Sequence, residues 1–398
     1  MTQGNGVATT YTYDDGLLSR IAAQYSTTTY VSFDYTYNAQ GNRSGWTYND
    51  GKVYSFLHDY HGQLTSAILK GASGQTLYSS SYGYDGANNR SSGGAYSGYT
   101  YDAANRLTST SASSYGYDLD GNMNSETDGS SYTYTYDREG RVTAQTGPSL
   151  TISYKYDALG RRIEQTVNGT VTKYVLNGDH VLADLNGSGT TIARYTNGPR
   201  VDEIISVRTG GQTYYYTQDA LGSVVRILDQ NRATKNTYEY LPWGEIYAQT
   251  EVIANRYTFT GRERNADGRT MHYRARGYLP HTGRFGQEDP LGFIDGINAY
   301  RYVRNSPCTF VDPSGLSCAS GIGSLVFSTV GAVLSGVGFV ISAGSEIATF
   351  GLSTPASVPG MAISAAGWSV SVGSMAFGIA EIAEECGKKK DAPEKEDK

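Results

Sequence analysis

One phrase recurs through the first half of the chain and constrains its fold more than any other feature. "YTYDDGLLSRI" begins at Tyr11, "YTYNAQGNRSG" at Tyr35 and a degenerate "HDYHGQLTSA" at His58. "YGYDGANNRSS" follows at Tyr82, "YTYDAANRLTS" at Tyr99 and "YGYDLDGNMNS" at Tyr115. "YTYDREGRVTA" at Tyr134 and "YKYDALGRRIE" at Tyr154 close the run. The shared core is Tyr-x-Tyr-Asp-x-x-Gly followed by Arg or Asn, at a drifting period of about twenty residues. Tyr-x-Tyr alternates with period two, so both rings lie on one face of a strand. Asp-x-x-Gly is a turn, because Asp bonds the backbone ahead of it and Gly accepts positive φ. The Arg and the apolar residue after it begin the return strand. Each unit is therefore predicted to be a β-hairpin.

A single hairpin is only marginally stable. Stacked hairpins pair their edges and bury each other's tyrosine faces. The chain holds 35 Tyr and 49 Gly against 10 Phe, so tyrosine ladders replace an aliphatic core here, each hydroxyl reaching water or a backbone group. The repeat Asp and Arg residues read as turn and cross-strand chemistry. A second reading makes the rings sugar-binding platforms, but rings that stack on each other are not free for a ligand.

Charge narrows the function classes. Net charge is −6 and only 18% of residues are charged, which does not favour a nucleic-acid or anionic-membrane binder. Cys308, Cys318 and Cys386 make no disulfide framework. His58, His61, His180, His272 and His281 show no metal-ligand spacing, so neither metal nor cofactor is expected. The opening "MTQGNGVATTYTYDDG" has no basic or apolar leader region. Export by a route independent of a signal peptide is expected, or else the chain is part of a longer product.

The Tyr-Asp repeat resembles the YD, or RHS, repeat family. Its members include polymorphic RHS toxins, the C subunits of insecticidal ABC toxin complexes and the extracellular teneurins. The resemblance implies a mainly β fold, a spiralling hairpin sheet that forms a hollow shell, closed or partial. After Arg161 the repeats loosen. "YYYTQDALGSVVRILDQNRATKNTYEYLPWGEI", Tyr214 to Ile246, is similar to the start of the RHS-associated core. The similarity continues through "YTFTGRERNADGRTMHYRARGYLPHTGRFGQEDPLGF" and "NAYRYVRNSPCTFVDPSGL". The expected divisions are repeats over 1–200, the core over 201–316, a hydrophobic helical hairpin over 317–385 and a charged, disordered tail over 386–398. Core residues Arg262, Arg264, Arg269, Arg274, Arg276, Arg284, Arg301 and Arg304 form a basic cluster. They read as partners for carboxylates and carbonyls inside a plug rather than as a nucleic-acid site, since no aromatic residues are set out for bases.

Asp-Pro-x-Gly occurs twice in the core, at Asp289-Pro290-Leu291-Gly292 and Asp312-Pro313-Ser314-Gly315. Proline holds the preceding Asp extended and then opens a turn. Plain turn duty is one reading. A carboxylate dyad is the other: two close carboxyls do not both ionise easily, so one can act as base and the other as acid. Chain spacing does not choose between them. The family resemblance implies the second, a self-cleaving aspartyl protease acting once in cis, with Asp289 and Asp312 as catalytic residues and the cut between Leu316 and Ser317. It also implies an auxiliary role for Arg284, orienting or charge-tuning the pair. Asp295, between the motifs, is a second-rank candidate.

Ser317 to Lys398 occupies the position where family members carry an interchangeable toxin. Ser320 to Ser345 has no charged residue and is longer than a bilayer-crossing helix requires. Gly331 with Ser335 and Ala332 with Gly336 place small residues four apart, as closely packed membrane helices do. After a turn at Pro355 and Pro359, a second apolar span reaches Glu385. The segment lacks His, and its acids sit at span ends or in the tail, which argues against a catalytic toxin. The expected protein is an RHS-type toxin or toxin fragment, secreted or at the cell surface. Self-cleavage would release a membrane-active hairpin. Its partners would be a target membrane, an immunity protein and a secretion-system component, with no nucleic acid. The alternative is a non-enzymatic cell-surface protein that binds carbohydrate or cells and is anchored by the same hairpin.

Overall fold

The computed structural model describes residues 1–293 and 296–316, and beyond them only short backbone strands at 319–320, 340–343 and 346–349. Apart from those strands, the segment expected as a helical hairpin, the tail, Asp295 and Ser317 lie outside the described residues. Among the described residues no helix is long and apolar enough to cross a membrane.

Hairpin repeats should give a meander, with each strand beside its predecessor. Seven antiparallel strands from Ala8 to Ser81 follow chain order, and so do sixteen from Thr100 to Glu251. The short hairpin Gly83–Tyr84 with Arg90–Ser92 lies between them in the chain. The longer sheet continues past Arg161, where the repeats loosen in sequence, and across residue 200, the expected division between repeats and core. A fourth, four-stranded sheet spans Glu263 to Phe285.

The turns repeat one pattern. Oδ1 of Asp85, Asp102, Asp118, Asp137 and Asp157 each accepts the N–H groups two and four residues ahead, at 2.8–3.1 Å. The residue three ahead has positive φ, and Gly or Asn fills it: Asn88, Asn105, Gly121, Gly140 and Gly160. Where the fourth residue is arginine, its Nε returns to Oδ2, at 2.6 Å for Arg106 and Arg141 and 2.8 Å for Arg161. The turn reading of the repeat Asp and Arg is thus what the structure shows.

The second tyrosine of the motif fastens one repeat to the one before. Tyr136 donates its hydroxyl to the Met123 carbonyl, Tyr156 to Val142 and Tyr240 to Val224, at 2.6–2.7 Å. Tyr37 to Leu18, Tyr84 to Leu64 and Tyr101 to Arg90 follow the same rule. The acceptors sit just past the preceding turn. Val142, for instance, precedes the ladder that begins at the Ala144–Ser153 pair. Burial pushes the phenols of Tyr84, Tyr101, Tyr136, Tyr156 and Tyr240 up, Tyr156 to about 12, so they stay protonated donors.

The wall meets itself. Gln3 Nε2 donates to the Tyr216 carbonyl at 2.5 Å and Asn5 Nδ2 to that of Asp229 at 3.1 Å. Ala220 N donates to the Tyr35 hydroxyl at 3.0 Å, and Arg232 stands 3.9 Å over the Tyr25 ring. The first sheet thereby packs on the last strands of the second through side chains.

The remaining chain plugs this wall by touching its turns in succession. Arg43 reaches the Cys308 carbonyl, Gln63 takes the Asn305 amide and Asn89 that of Asn298. Tyr300 donates to the Gly121 carbonyl and Gln287 to that of Gly140, while Arg162 pairs with Glu263. The plug's own centre is aromatic: Tyr273, Tyr278, Phe285 and Tyr302 pack with centroids 4.3–6.0 Å apart.

Candidate self-cleavage site

The site is built on a tight hairpin turn. Strand Met271–Tyr273 returns through Arg274 and Ala275 into strand Arg276–Leu279, pairing Tyr273 with Arg276. Arg276 lies over Phe285, its guanidinium carbon 3.7 Å from the ring centroid. A buried cation on an aromatic face gains about 2 kcal/mol, and this contact helps fix where the guanidinium points.

Both motif aspartates come to it. Arg276 Nη2 is 3.0 Å from Asp289 Oδ2 and 3.3 Å from Asp312 Oδ2. The two carboxylate oxygens can be no farther apart than the sum of those distances. The side chains are only 2%, 6% and 2% exposed for Arg276, Asp289 and Asp312, so the charges meet where water screens them little. Arg276 Nη1 also donates to the Ala299 carbonyl at 2.9 Å, and Asp289 N donates to the same residue's carbonyl at 3.0 Å. Asp289 Oδ1 accepts Leu291 N at 2.9 Å. These bonds lock the first motif to the strand that carries Arg276.

Asp312 is gripped by its own turn. Its Oδ1 accepts Gly315 N at 2.8 Å, Leu316 N at 3.1 Å and Ser314 Oγ at 3.2 Å. The Leu316 carbonyl carbon, one end of the expected scissile bond, is two covalent bonds beyond that captured nitrogen. Gly315 is required twice. Its φ is +72°, and a Cβ there would collide with the Tyr273 carbonyl oxygen and stand 3.1 Å from Arg276 N.

The segment Pro313–Gly315, before the expected scissile bond, is held by three successive residues of the turn. Arg274 Nη1 donates to the Pro313 carbonyl, Ala275 N to that of Ser314 at 3.1 Å, and Arg276 Nε to that of Gly315. Arg274 in turn rests on Asp202 at 2.7 Å and faces Asp179 at 3.5 Å. Burial opposes charge on Arg274, but these carboxylates outweigh it and push its pKa up. Burial likewise opposes charge on Asp202, and Arg262 and Arg274 still hold its carboxyl below the usual range.

Asp289, Asp312 and Leu316 therefore gather in one place, while Ser317 falls outside the described residues. Arg284 is placed elsewhere. Its Nη2 donates to the Asn105 carbonyl at 2.5 Å, and its guanidinium lies 5.0 Å from the Tyr101 ring and 5.1 Å from that of Tyr300. Sequence reasoning put the site arginine at Arg284 and left Arg276 among the plug's basic residues. Only the strand register around Tyr273–Arg276 separates the two. The plug reading itself holds for three further members: Arg262 pairs with Asp202, Arg264 with Glu251 and Arg269 with Glu126 and Asp128. No group of three or more His, Cys, Asp or Glu side chains among the described residues is arranged to hold a metal ion.

A meander of Tyr-Asp hairpins, closed on a plug that touches its turns, defines a YD-shell protein. The model of the teneurin YD-shell family matches residues 54–307, and the chain belongs to this RHS/YD-repeat family. It is 30% identical over 292 residues to the tRNA3(Ser)-specific nuclease WapA of Bacillus spizizenii, a match covering 68% of this chain and 11% of that protein. Toxin subunit YenC1 of Yersinia entomophaga is 35% identical over 108 residues, covering 26% of this chain and 11% of the subunit. Toxin protein Tse5 of Pseudomonas aeruginosa is 29% identical over 104 residues, covering 26% and 8%. The chain thus spans about a tenth of the length of these relatives. The crystal structure of TcdB2-TccC3 superposes with a TM-score of 0.51 at 18% identity, over 79% of this chain and 19% of that one, and shares the fold.

Proposed function

We propose that this chain is a toxin carrier that cuts itself once, between Leu316 and Ser317, and so frees the hydrophobic segment beyond. The observation that carries the reading is the convergence of Asp289 and Asp312 on Arg276, with the Leu316 amide held by Asp312. The toxin names of several relatives support the carrier class.

The reaction is hydrolysis. One carboxylate takes a proton from water as the water oxygen bonds to the Leu316 carbonyl carbon. The other carboxyl, protonated, passes its proton to the carbonyl oxygen. The resulting diol collapses, the carbon–nitrogen bond breaks and a proton goes to the Ser317 nitrogen. Arg276 keeps both carboxyl groups at one point before and after the step.

The uncharged stretch Ser320 to Ser345 supports a membrane as the target of the freed piece. A secreted or surface location, a delivery component and an immunity partner belong to the same reading. The test is to purify the full chain and weigh its fragments. Pieces ending at Leu316 and beginning at Ser317 are expected, with none from Asp289→Asn or Asp312→Asn. A folded parent that stays in one piece would sink the protease reading. Added separately to zwitterionic lipid vesicles, a peptide of residues 317–398 should release a trapped dye, and failure to do so would remove the membrane role alone.

A further inference from the structure

The turn before the cut is tied to the wall by charges that the cleavage chemistry does not itself use. Asp202 lies between strands Thr191–Asn197 and Ile204–Thr209, and Asp179 between strands Thr170–Asn177 and His180–Asn186. Both belong to the sixteen-stranded sheet's hairpins, and both face Arg274 of the plug. Asp202 is 9% exposed and adopts φ +56°, a backbone conformation that costs a non-glycine residue free energy. Gln218 Nε2 holds its carbonyl at 3.0 Å, and its Oδ1 accepts from Arg262 Nη1 at 2.8 Å and Arg274 Nη2 at 2.7 Å. Arg262 donates Nε and Nη2 to the His272 carbonyl, next to the turn. On its other side, Arg274 holds the Pro313 carbonyl.

We infer that Arg274 is a positioning residue for self-cleavage, and that its anchors Asp202 and Asp179 make the cut wait for a completed wall. The inference rests on the cleavage reading above. Until the two wall hairpins are in place, nothing in this arrangement fixes the Arg274 fork. The Pro313–Ser314–Gly315 carbonyls then lose one of their three donors, and the scissile carbonyl loses its alignment with the two carboxyl groups. A misplacement of about 1 Å costs roughly a hundredfold in rate. The same grip outlasts the reaction. Three donors and the Asp312 turn keep the new end at Leu316 in the site, so the carrier acts once.

The test follows cleavage over time in full-length chain made by cell-free translation, with mass spectrometry of the cut. Arg274→Lys keeps a cation for Asp202 but lacks a fork able to hold the Pro313 carbonyl at the same time. It should cleave roughly tenfold to a hundredfold more slowly. Melting of the same variant is read in an uncut Asp289→Asn background and should stay within a few degrees of that background. Asp202→Asn with Asp179→Asn should slow the cut as well. Parent-like cleavage of Arg274→Lys overturns the inference. So does slowing that only follows the loss of melting temperature, which marks a purely structural arginine. A parent chain that is never cut overturns the cleavage reading, and this inference with it.

Discussion

The molecule uses aspartate in two ways, and the contrast separates its wall from its plug. In the wall, Asp102, Asp137 and Asp157 bond to their own turns and to an arginine four residues on. Everything each of them needs lies within five residues. In the plug, Asp289 and Asp312 also begin turns and also hold the N–H groups just ahead. Their second oxygens, however, meet on an arginine from a different strand. One turn chemistry serves as a spacer where its charge is matched locally and gathers two carboxylates on one arginine where it is matched at a distance.

The same substitution in the two places tests this most severely. Asp312→Asn should abolish the cut at Leu316, seen as a single band on a gel. Asp137→Asn keeps the turn's acceptor and loses a pair whose members are 21% and 23% exposed. It should cost under about 1 kcal/mol in denaturant unfolding and leave cleavage unchanged. Equal effects of the two would erase the distinction.

Glycines give the next contrast. Gly160 has positive φ, and a Cβ there meets nothing nearer than the Arg141 side chain at 3.5 Å. Gly160→Ala should cost about 1–2 kcal/mol from backbone strain alone. Gly315→Ala adds a collision with the Tyr273 backbone, so it should cost more and slow cleavage sharply. Melting and cleavage time courses together check the pair.

A wall turn that touches the plug carries a pH signature. Asp219 is half-buried, and its partial burial raises its carboxyl from 3.8 to about 6 against the N–H bonds from Ser223 and Leu221. The folded state then holds a proton that the unfolded chain releases. Stability is undiminished below pH 3.8, falls as pH rises toward 6 and stays reduced above it, by up to about 3 kcal/mol. Asp219→Asn should therefore flatten this decline. Urea unfolding at pH 4.5 and 7.5 measures it, and an unchanged slope with pH would remove Asp219 as the cause.

The smallest effects sharpen the ladder itself. Tyr156→Phe deletes the bond to the Val142 carbonyl and should cost about 1 kcal/mol. The Tyr134 hydroxyl is buried with no hydrogen-bond partner. Tyr134→Phe should be neutral or stabilising by the same unfolding measurement.

What could be read in the sequence follows the same divide. Tyr-x-Tyr-Asp-x-x-Gly specifies a strand, a turn and a return strand within one short window, so the hairpins were legible from residue order. The repeats loosen after Arg161, yet the sheet runs on to Glu251, because alternation continues where the Asp signature fades. Asp289 and Asp312 were visible as a doubled motif. Arg276 was not distinguishable from Arg284, since both lie in "RARGYLPHTGRF" and only pairing across Tyr273–Arg276 brings one of them to Asp289 and Asp312. Asp202 gave no signal at all. Its importance comes from a fold that brings it to Arg274, 72 residues away in the chain. The contact of the first strands with Tyr216 and Asp229 is hidden for the same reason.

The tyrosine fastenings all point one way. Tyr136 closes on Met123, Tyr156 on Val142 and Tyr240 on Val224, always a later residue sealing an earlier one. During synthesis, then, each finished hairpin is latched by the next to emerge from the ribosome. The loose end is always the newest. Such a wall assembles like a ratchet, and the contacts of its first residues with Tyr216 and Asp229 close it only once the last strands are made.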